Sequence, residues 1–226
     1  MCGIFGSTDF ERFKTLYKIN QGRGDFSYGG IYISEDPIIQ NSFTLTKCEG
    51  TADLDTNTFK NAKYYLGHTQ APTSSVREFD PETTHPFKSG NWFTAHNGVL
   101  SNAEQLKKKY SLTTTNDVDT SVIPAIVKYY KIDTGNSDAD EQRSLKLGLQ
   151  ELKGTFSCWF FNIDTGNMYL ARCGSTLFGN IESGEFSSSR YGEENLEQLP
   201  EGKLYKIGKK LAEVEKFQYN SPYFIL

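Results

Sequence analysis

The chain lacks most of the features that announce a partner at first sight. It has no basic block, and its 24 Lys and Arg are outnumbered by 28 Asp and Glu, for a formal charge of −4. A phosphate-neutralising surface for nucleic acid is therefore not expected. No apolar run approaches the roughly 20 residues of a membrane span. The first residues have neither the basic stretch nor the apolar stretch of a secretory signal. No membrane association is expected, and a cytoplasmic location is. Histidine is scarce, with only His68, His85 and His96, and the four cysteines (Cys2, Cys48, Cys158, Cys173) are widely spaced. No C-x-x-C pair or zinc spacing arises, so no metal is expected, and free thiols in a reducing compartment are.

What is present is an ordinary globular composition over 226 residues, 37% hydrophobic and 23% charged. The 16 Phe and 13 Tyr suit a sheet-rich core. Cys2–Gly6 reads as a short buried strand. Asp9–Asn20 carries a helical stripe of Phe10, Phe13, Leu16, Tyr17 and Ile19, with Asp9 as N-cap. Strands are expected over Tyr28–Ser34, Ser42–Thr46 and Lys63–Gly67, then a polar loop from His68 to Gly90. Trp92–His96 and Val99–Leu100 flank Asn97-Gly98. Ser101-Asn102-Ala103-Glu104 has the form of a capping box opening a helix to about Tyr110. Further helices are expected over Thr120–Lys131 and Asp140–Leu152. Thr155–Ile163 and Met168–Arg172 read as a hairpin around Asp164-Thr165-Gly166-Asn167. Thr176–Ile181, Glu185–Ser188 and Leu204–Ile207 are further strands. Strands, then helices, then strands predict an α+β chain of antiparallel sheets with helices on their outer faces. No linker, repeat or low-complexity tract divides it.

The residue with the most chemistry is Cys2. Removal of Met1, which a small second residue permits, would give one residue both a thiol and a free α-amine. That amine titrates at roughly 7.7–8.0 when unperturbed and can serve as the general base for its own side chain. The alternative, a small residue in a buried strand, is the commoner fate of a lone cysteine. Four other segments each allow a plain reading. Arg23-Gly24-Asp25-Phe26-Ser27 fits a turn before a strand, and Gly67-His68-Thr69-Gln70-Ala71-Pro72-Thr73 fits a surface loop. Ala95-His96-Asn97-Gly98-Val99 fits a hairpin turn; it also sets an amide side chain beside a glycine N–H, as an oxyanion hole requires. Asp117-Val118-Asp119-Thr120-Ser121 fits a helix N-cap.

Taken in order and at these distances, the segments resemble the glutaminase domain of class II glutamine amidotransferases, which are N-terminal-nucleophile hydrolases. The likeness is greatest to the glutaminase domain of glucosamine-6-phosphate synthase. It extends to Ala171-Arg172-Cys173-Gly174-Ser175-Thr176-Leu177, to Phe186-Ser187-Ser188-Ser189 and to Leu199-Pro200-Glu201-Gly202. The resemblance implies a four-layer αββα sandwich, two antiparallel sheets between helical layers, and a single glutaminase-type domain over residues 1–226 with no synthase domain. It implies Cys2 as nucleophile toward the glutamine side-chain amide, and Asn97 and Gly98 as oxyanion donors. Asp119 would be the partner of the substrate ammonium, Thr73 would line the pocket, and Arg23 would stand near the thiol. No cofactor is implied. Ammonia would pass to a separate synthase subunit, against which the apolar ending Tyr219–Leu226 could pack, unless it folds on its own domain.

The chain departs from the family pattern where the substrate's carboxylate would be held. The family carries arginine at the position of Gln70, and a neutral amide supplies no charge-assisted fork. Either Arg77 substitutes for it, or glutamine binds weakly, or the substrate lacks that carboxylate. Ala71, Ser74 and Phe26 replace a tryptophan, a histidine and an aspartate. Two further readings stand beside a glutaminase: an N-terminal-cysteine hydrolase of another γ-glutamyl or linear amide, and a non-catalytic binding module if Met1 is retained.

Overall fold

The computed structural model describes residues 1–34, 42–54, 61–71, 78–190 and 196–219. Strand β1 (Gly3–Ser7) leads into helix α1 (Phe10–Gln21), followed by β2 (Ser27–Ser34), β3 (Phe43–Glu49) and β4 (Ala62–Gln70). Next come β5 (Phe87–Ser89), β6 (Trp92–Leu100) and the helices α2 (Ala103–Tyr110), α3 (Val122–Tyr129) and α4 (Ser137–Glu151). The chain then returns to strands: β7 (Gly154–Asn162), β8 (Met168–Cys173), β9 (Phe178–Gly179), β10 (Phe186–Ser187), β11 (Glu197–Gln198), β12 (Lys203–Ile207) and β13 (Leu211–Lys216).

The strands form two antiparallel sheets. One has the order β11-β9-β10-β1-β4-β2-β3, the other β13-β12-β8-β7-β6-β5. Alternation along the strands sorts the core into three slabs. Ile4, Ile31, Ile33 and Leu66 of the first sheet meet Phe93, Ala95, Trp159, Phe161 and Leu170 of the second. The opposite face of the first sheet, with Phe5, Tyr28, Tyr32 and Tyr65, packs on Phe13, Leu16 and Tyr17 of α1. The outer face of the second sheet, with Trp92, Phe156, Phe160 and Tyr169, packs on Val122, Ile123, Ile126, Leu145 and Leu149 of α3 and α4. The result is the expected four-layer αββα sandwich. Among the described residues no helix is long and apolar enough to cross a membrane.

Helix α1 buries Phe13, Leu16, Tyr17 and Asn20, the one-face spacing of an amphipathic helix, and Asp9 caps it by accepting from the Arg12 N–H at 2.7 Å. Three local expectations give way to longer-range contacts. Asn97-Gly98 makes no hairpin: β6 runs straight through both and pairs with β7 from Trp92↔Asn162 to Leu100↔Gly154. His68, Thr69 and Gln70 belong to β4, not to a loop, because β2 pairs with all three and β1 pairs with His68 and Thr69 on the other side. The capping box at Ser101 does not form. Asn102 occupies the cap position, and its side chain reaches across to Glu151 O and Lys153 N, at 2.8 and 3.0 Å, tying α2 to the end of α4 and the link that leads into β7. The chain before α3 is a 3-10 turn over Asp119–Ser121. Of the apolar ending, residues 220–226 lie outside the described residues.

Gly29, opposite His68 in the β2–β4 ladder, lets His85 approach: a Cβ at position 29 would lie 1.9 Å from His85 O. Gly29→Ala is expected to destabilise the protein by about 2 kcal/mol, in the range for overpacking. Urea unfolding would show a lowered midpoint with an unchanged slope.

Candidate active site

Strand β1 lies inside its sheet, between β10 and β4. Its preceding residue, Cys2, therefore emerges at the seam between the two sheets, where the end of β6 faces it. Cys2, Arg23, Asn97, Gly98, Thr155 and Thr176 are among the residues lining a cavity of about 430 Å³, within the size range of small-molecule sites. Sequence distances of about a hundred residues and more collapse there.

The backbone of Cys2 is held by Arg23. The guanidinium Nε donates to Cys2 O at 2.7 Å, and Nη1 donates to Ser188 O at 3.3 Å. The Met1 ammonium donates in turn to Arg23 O at 3.0 Å. Burial pushes the Cys2 thiol up. A backbone hydrogen bond at Ala71, the Met1 ammonium and the Arg23 charge pull it down by less, and Asp119 adds to the rise. Arg23 thus acts on Cys2 mainly through the carbonyl it grips.

Asn97 is buried, and its Nδ2 faces two hydroxyls, Ser188 Oγ at 3.2 Å and Ser157 Oγ at 3.5 Å. Gly98 has φ +150°, and a Cβ there would lie 2.0 Å from Thr155 O. Only glycine fits this position, and Gly98 lines the cavity beside Asn97. Asp119 is held from two sides, accepting from Leu100 N and Thr120 N at 2.8 Å each. It is not among the described lining residues, although its charge acts on the Cys2 thiol. Gln70 is buried at the end of β4, where its Oε1 accepts from the Ser27 hydroxyl at 2.9 Å. Thr73 and Arg77 lie outside the described residues.

Ser188 was not legible as a site residue from the sequence, yet it joins three elements. Its Oγ accepts from Ile4 N at 3.0 Å and from Asn97, and its carbonyl receives Arg23. Asn20 does the same one turn away, donating to Ser187 Oγ at 2.8 Å while its carbonyl accepts from Thr69. The run Ser187-Ser188-Ser189 is the only sequence signal for these contacts. Among the described residues no cluster of His, Cys, Asp and Glu is arranged to hold a metal.

No family model matches the chain. It is 28% identical over 151 residues to a 7-cyano-7-deazaguanine synthase of Sulfurisphaera tokodaii, an alignment covering 63% of this chain and 30% of that protein. It is 25% identical over 193 residues to the glutamine–fructose-6-phosphate aminotransferase of Staphylococcus epidermidis, covering 81% of this chain and 31% of the relative. The chain thus spans about a third of the length of these curated relatives. Among solved structures, the glutamine phosphoribosylpyrophosphate amidotransferase of B. subtilis superposes with a TM-score of 0.72 at 20% identity, over 97% of this chain and 50% of that one. In sequence and in fold, the chain is similar to class II glutamine amidotransferase domains.

The Cys2 environment gives a test of its electrostatics. In the chain carrying Met1, alkylation of Cys2 by iodoacetamide, read by mass spectrometry of the N-terminal peptide, is expected to reach half its maximum above the pH of an ordinary thiol. Arg23→Ala removes a cation and is expected to move that midpoint further up; a downward move would contradict the assigned cause.

Proposed function

We propose that the chain is a glutaminase-type hydrolase of the class II amidotransferase kind, in which Cys2, freed of Met1, attacks the side-chain amide of glutamine. The observation that carries this reading is the convergence of Cys2, Asn97 and Gly98, from two different sheets, on one cavity. A buried thiol whose ionisation is pushed up is mostly protonated at neutral pH, so its proton must leave as it attacks. With Met1 gone the α-amine of Cys2 is at hand as that base, through a water. Sulfur bonds to the amide carbon, and the carbonyl electrons move onto oxygen. That oxygen is held by the Gly98 N–H and by the Asn97 Nδ2–H now resting 3.5 Å from Ser157. One such donor typically contributes roughly 3–4 kcal/mol to the transition state. Collapse breaks the carbon–nitrogen bond, and the proton leaves with ammonia. Water then hydrolyses the thioester to glutamate and restores the thiol. Asp119 pairs with the substrate α-ammonium, and Arg23 keeps Cys2 in place.

The names of the two relatives, a synthase and an aminotransferase, and the third of each that the chain matches support an acceptor for the ammonia beyond the matched segment. We assign that acceptor to a separate synthase subunit, this chain being one glutaminase-type domain. A second reading, hydrolysis of another γ-glutamyl or linear amide, is favoured by one observation: Gln70 is engaged with Ser27 and brings no charge to a substrate carboxylate.

The intact mass of the purified protein is expected to lack Met1; a retained Met1 would leave the amine acylated and sink the catalytic reading. A diazo-ketone analogue of glutamine is expected to form one adduct, on Cys2, that is absent from Cys2→Ala. A free N-terminus with no adduct would transfer support to the second reading. Asn97→Ala is expected to lower kcat for glutamine about 10²–10³-fold, measured as ammonia release.

A further inference from the structure

All three histidines of the chain are buried, and they lie together beneath the cavity. His68 stacks on His85 with ring centroids 3.8 Å apart and planes at 21°. One hydroxyl joins the other two rings: Thr120 Oγ1 is 3.0 Å from His85 Nε2 and 2.9 Å from His96 Nδ1. On its far side, His96 Nε2 lies 3.2 Å from Thr155 O, and His68 Nε2 lies 3.2 Å from His96 O. These contacts leave little freedom in where the protons sit.

A carbonyl oxygen only accepts, so His96 Nε2 and His68 Nε2 each carry a proton. Burial drives His96 below its ordinary range and His68 down to about 3, so both rings are neutral at pH 7. A neutral His96 protonated at Nε2 has a bare Nδ1, which must accept. The single Thr120 hydroxyl proton therefore goes to His96, and the Thr120 oxygen accepts from His85 Nε2–H. The other acceptor near that hydroxyl, Asp119 Oδ1, is at 3.4 Å and already takes the Thr120 backbone N–H. The direction runs His85 to Thr120 to His96 to Thr155 O. That last carbonyl is the atom pressed against Gly98, and a Cβ on Gly98 would also meet His96 Nε2 at 2.8 Å.

We propose that Thr120 is a positioning residue for the site: its hydroxyl locks His96 as the Nε2–H tautomer, His96 holds the Thr155 carbonyl against Gly98, and the backbone N–H of Thr120 steadies Asp119. One residue thereby couples the segment that would bind the oxyanion to the carboxylate that would bind the ammonium. This coupling rests on the glutaminase reading for its catalytic meaning, but the lock itself does not.

The test separates the two. A long-range 1H–15N spectrum of the imidazoles in the unmutated protein at neutral pH is expected to show His68, His85 and His96 as Nε2–H tautomers. A His96 protonated at Nδ1, or at both nitrogens, overturns the proposal without any variant being needed. In Thr120→Val, which keeps the shape and the backbone N–H but loses the hydroxyl, the His96 ring signals and the Gly98 amide resonance are expected to move. Both should return toward their original positions in Thr120→Ser. A Gly98 amide unmoved in a folded Thr120→Val protein overturns it. In the kinetic arm, Thr120→Val is expected to lower kcat for glutamine about tenfold or more, with KM changed by less, and Thr120→Ser to restore most of it. If the spectra behave as expected while neither the unmutated protein nor any variant hydrolyses glutamine, the lock stands and the glutaminase reading fails.

Discussion

Cys2 lies just outside its strand, and a residue there is hard to place unless something ties it down. The site depends on overcoming that. Strand β1 is hydrogen-bonded along both edges, by β4 and β10, and just before it the Arg23 guanidinium fastens the Cys2 carbonyl at 2.7 Å. Arg23 also reaches Ser188, which receives Ile4 and Asn97. Cys2 and the Asn97 amide that faces it are thus joined through shared partners and not merely brought near each other.

The groups that make this seam are mostly neutral: amides, hydroxyls and imidazoles. That choice follows from depth. A buried ion costs several kcal/mol unless it is well paired, whereas a neutral polar group needs only its hydrogen bonds. Ser157, Ser187, Ser188, Asn20 and Asn97 all sit below a tenth of their free exposure, with the amide Nδ2 groups of Asn20 and Asn97 donating to the serine hydroxyls. The chemistry proposed for Cys2 would take place against a wall of neutral polar groups whose positions are set by the sheets themselves.

Much of this was legible in the sequence, for identifiable reasons. The stripe Phe13, Leu16, Tyr17 and the alternation through Phe156, Cys158 and Phe160 report local periodicity, and the corresponding helix and strand lie where the periodicity puts them. Asn97-Gly98 shows the limit. Its dipeptide preference is a turn, but nine residues of pairing with β7 outweigh it, and the glycine is needed for the approach of Thr155 O. The Ser101 capping box failed for a similar reason, since Asn102 does more by bridging to the end of α4 and the link that leads into β7. Ser188 and Thr120 could not be seen as organisers, because their partners lie 91 and 35 residues away and ordinary hydroxyl residues carry no local mark.

The pairing of β1 has a consequence for the order of assembly. Strand β1 takes one edge from β4 and the other from β10, and Ile4 finds its Ser188 partner 184 positions later. Contacts so distant in sequence form only after the intervening chain has been made and its loop-closure entropy overcome. Until those contacts form, Cys2 has no pocket around it. The walls around that thiol are completed only when Asn97, Thr155, Thr176 and Ser188 have all taken their places, so its surroundings depend on the most distant pairings in the fold.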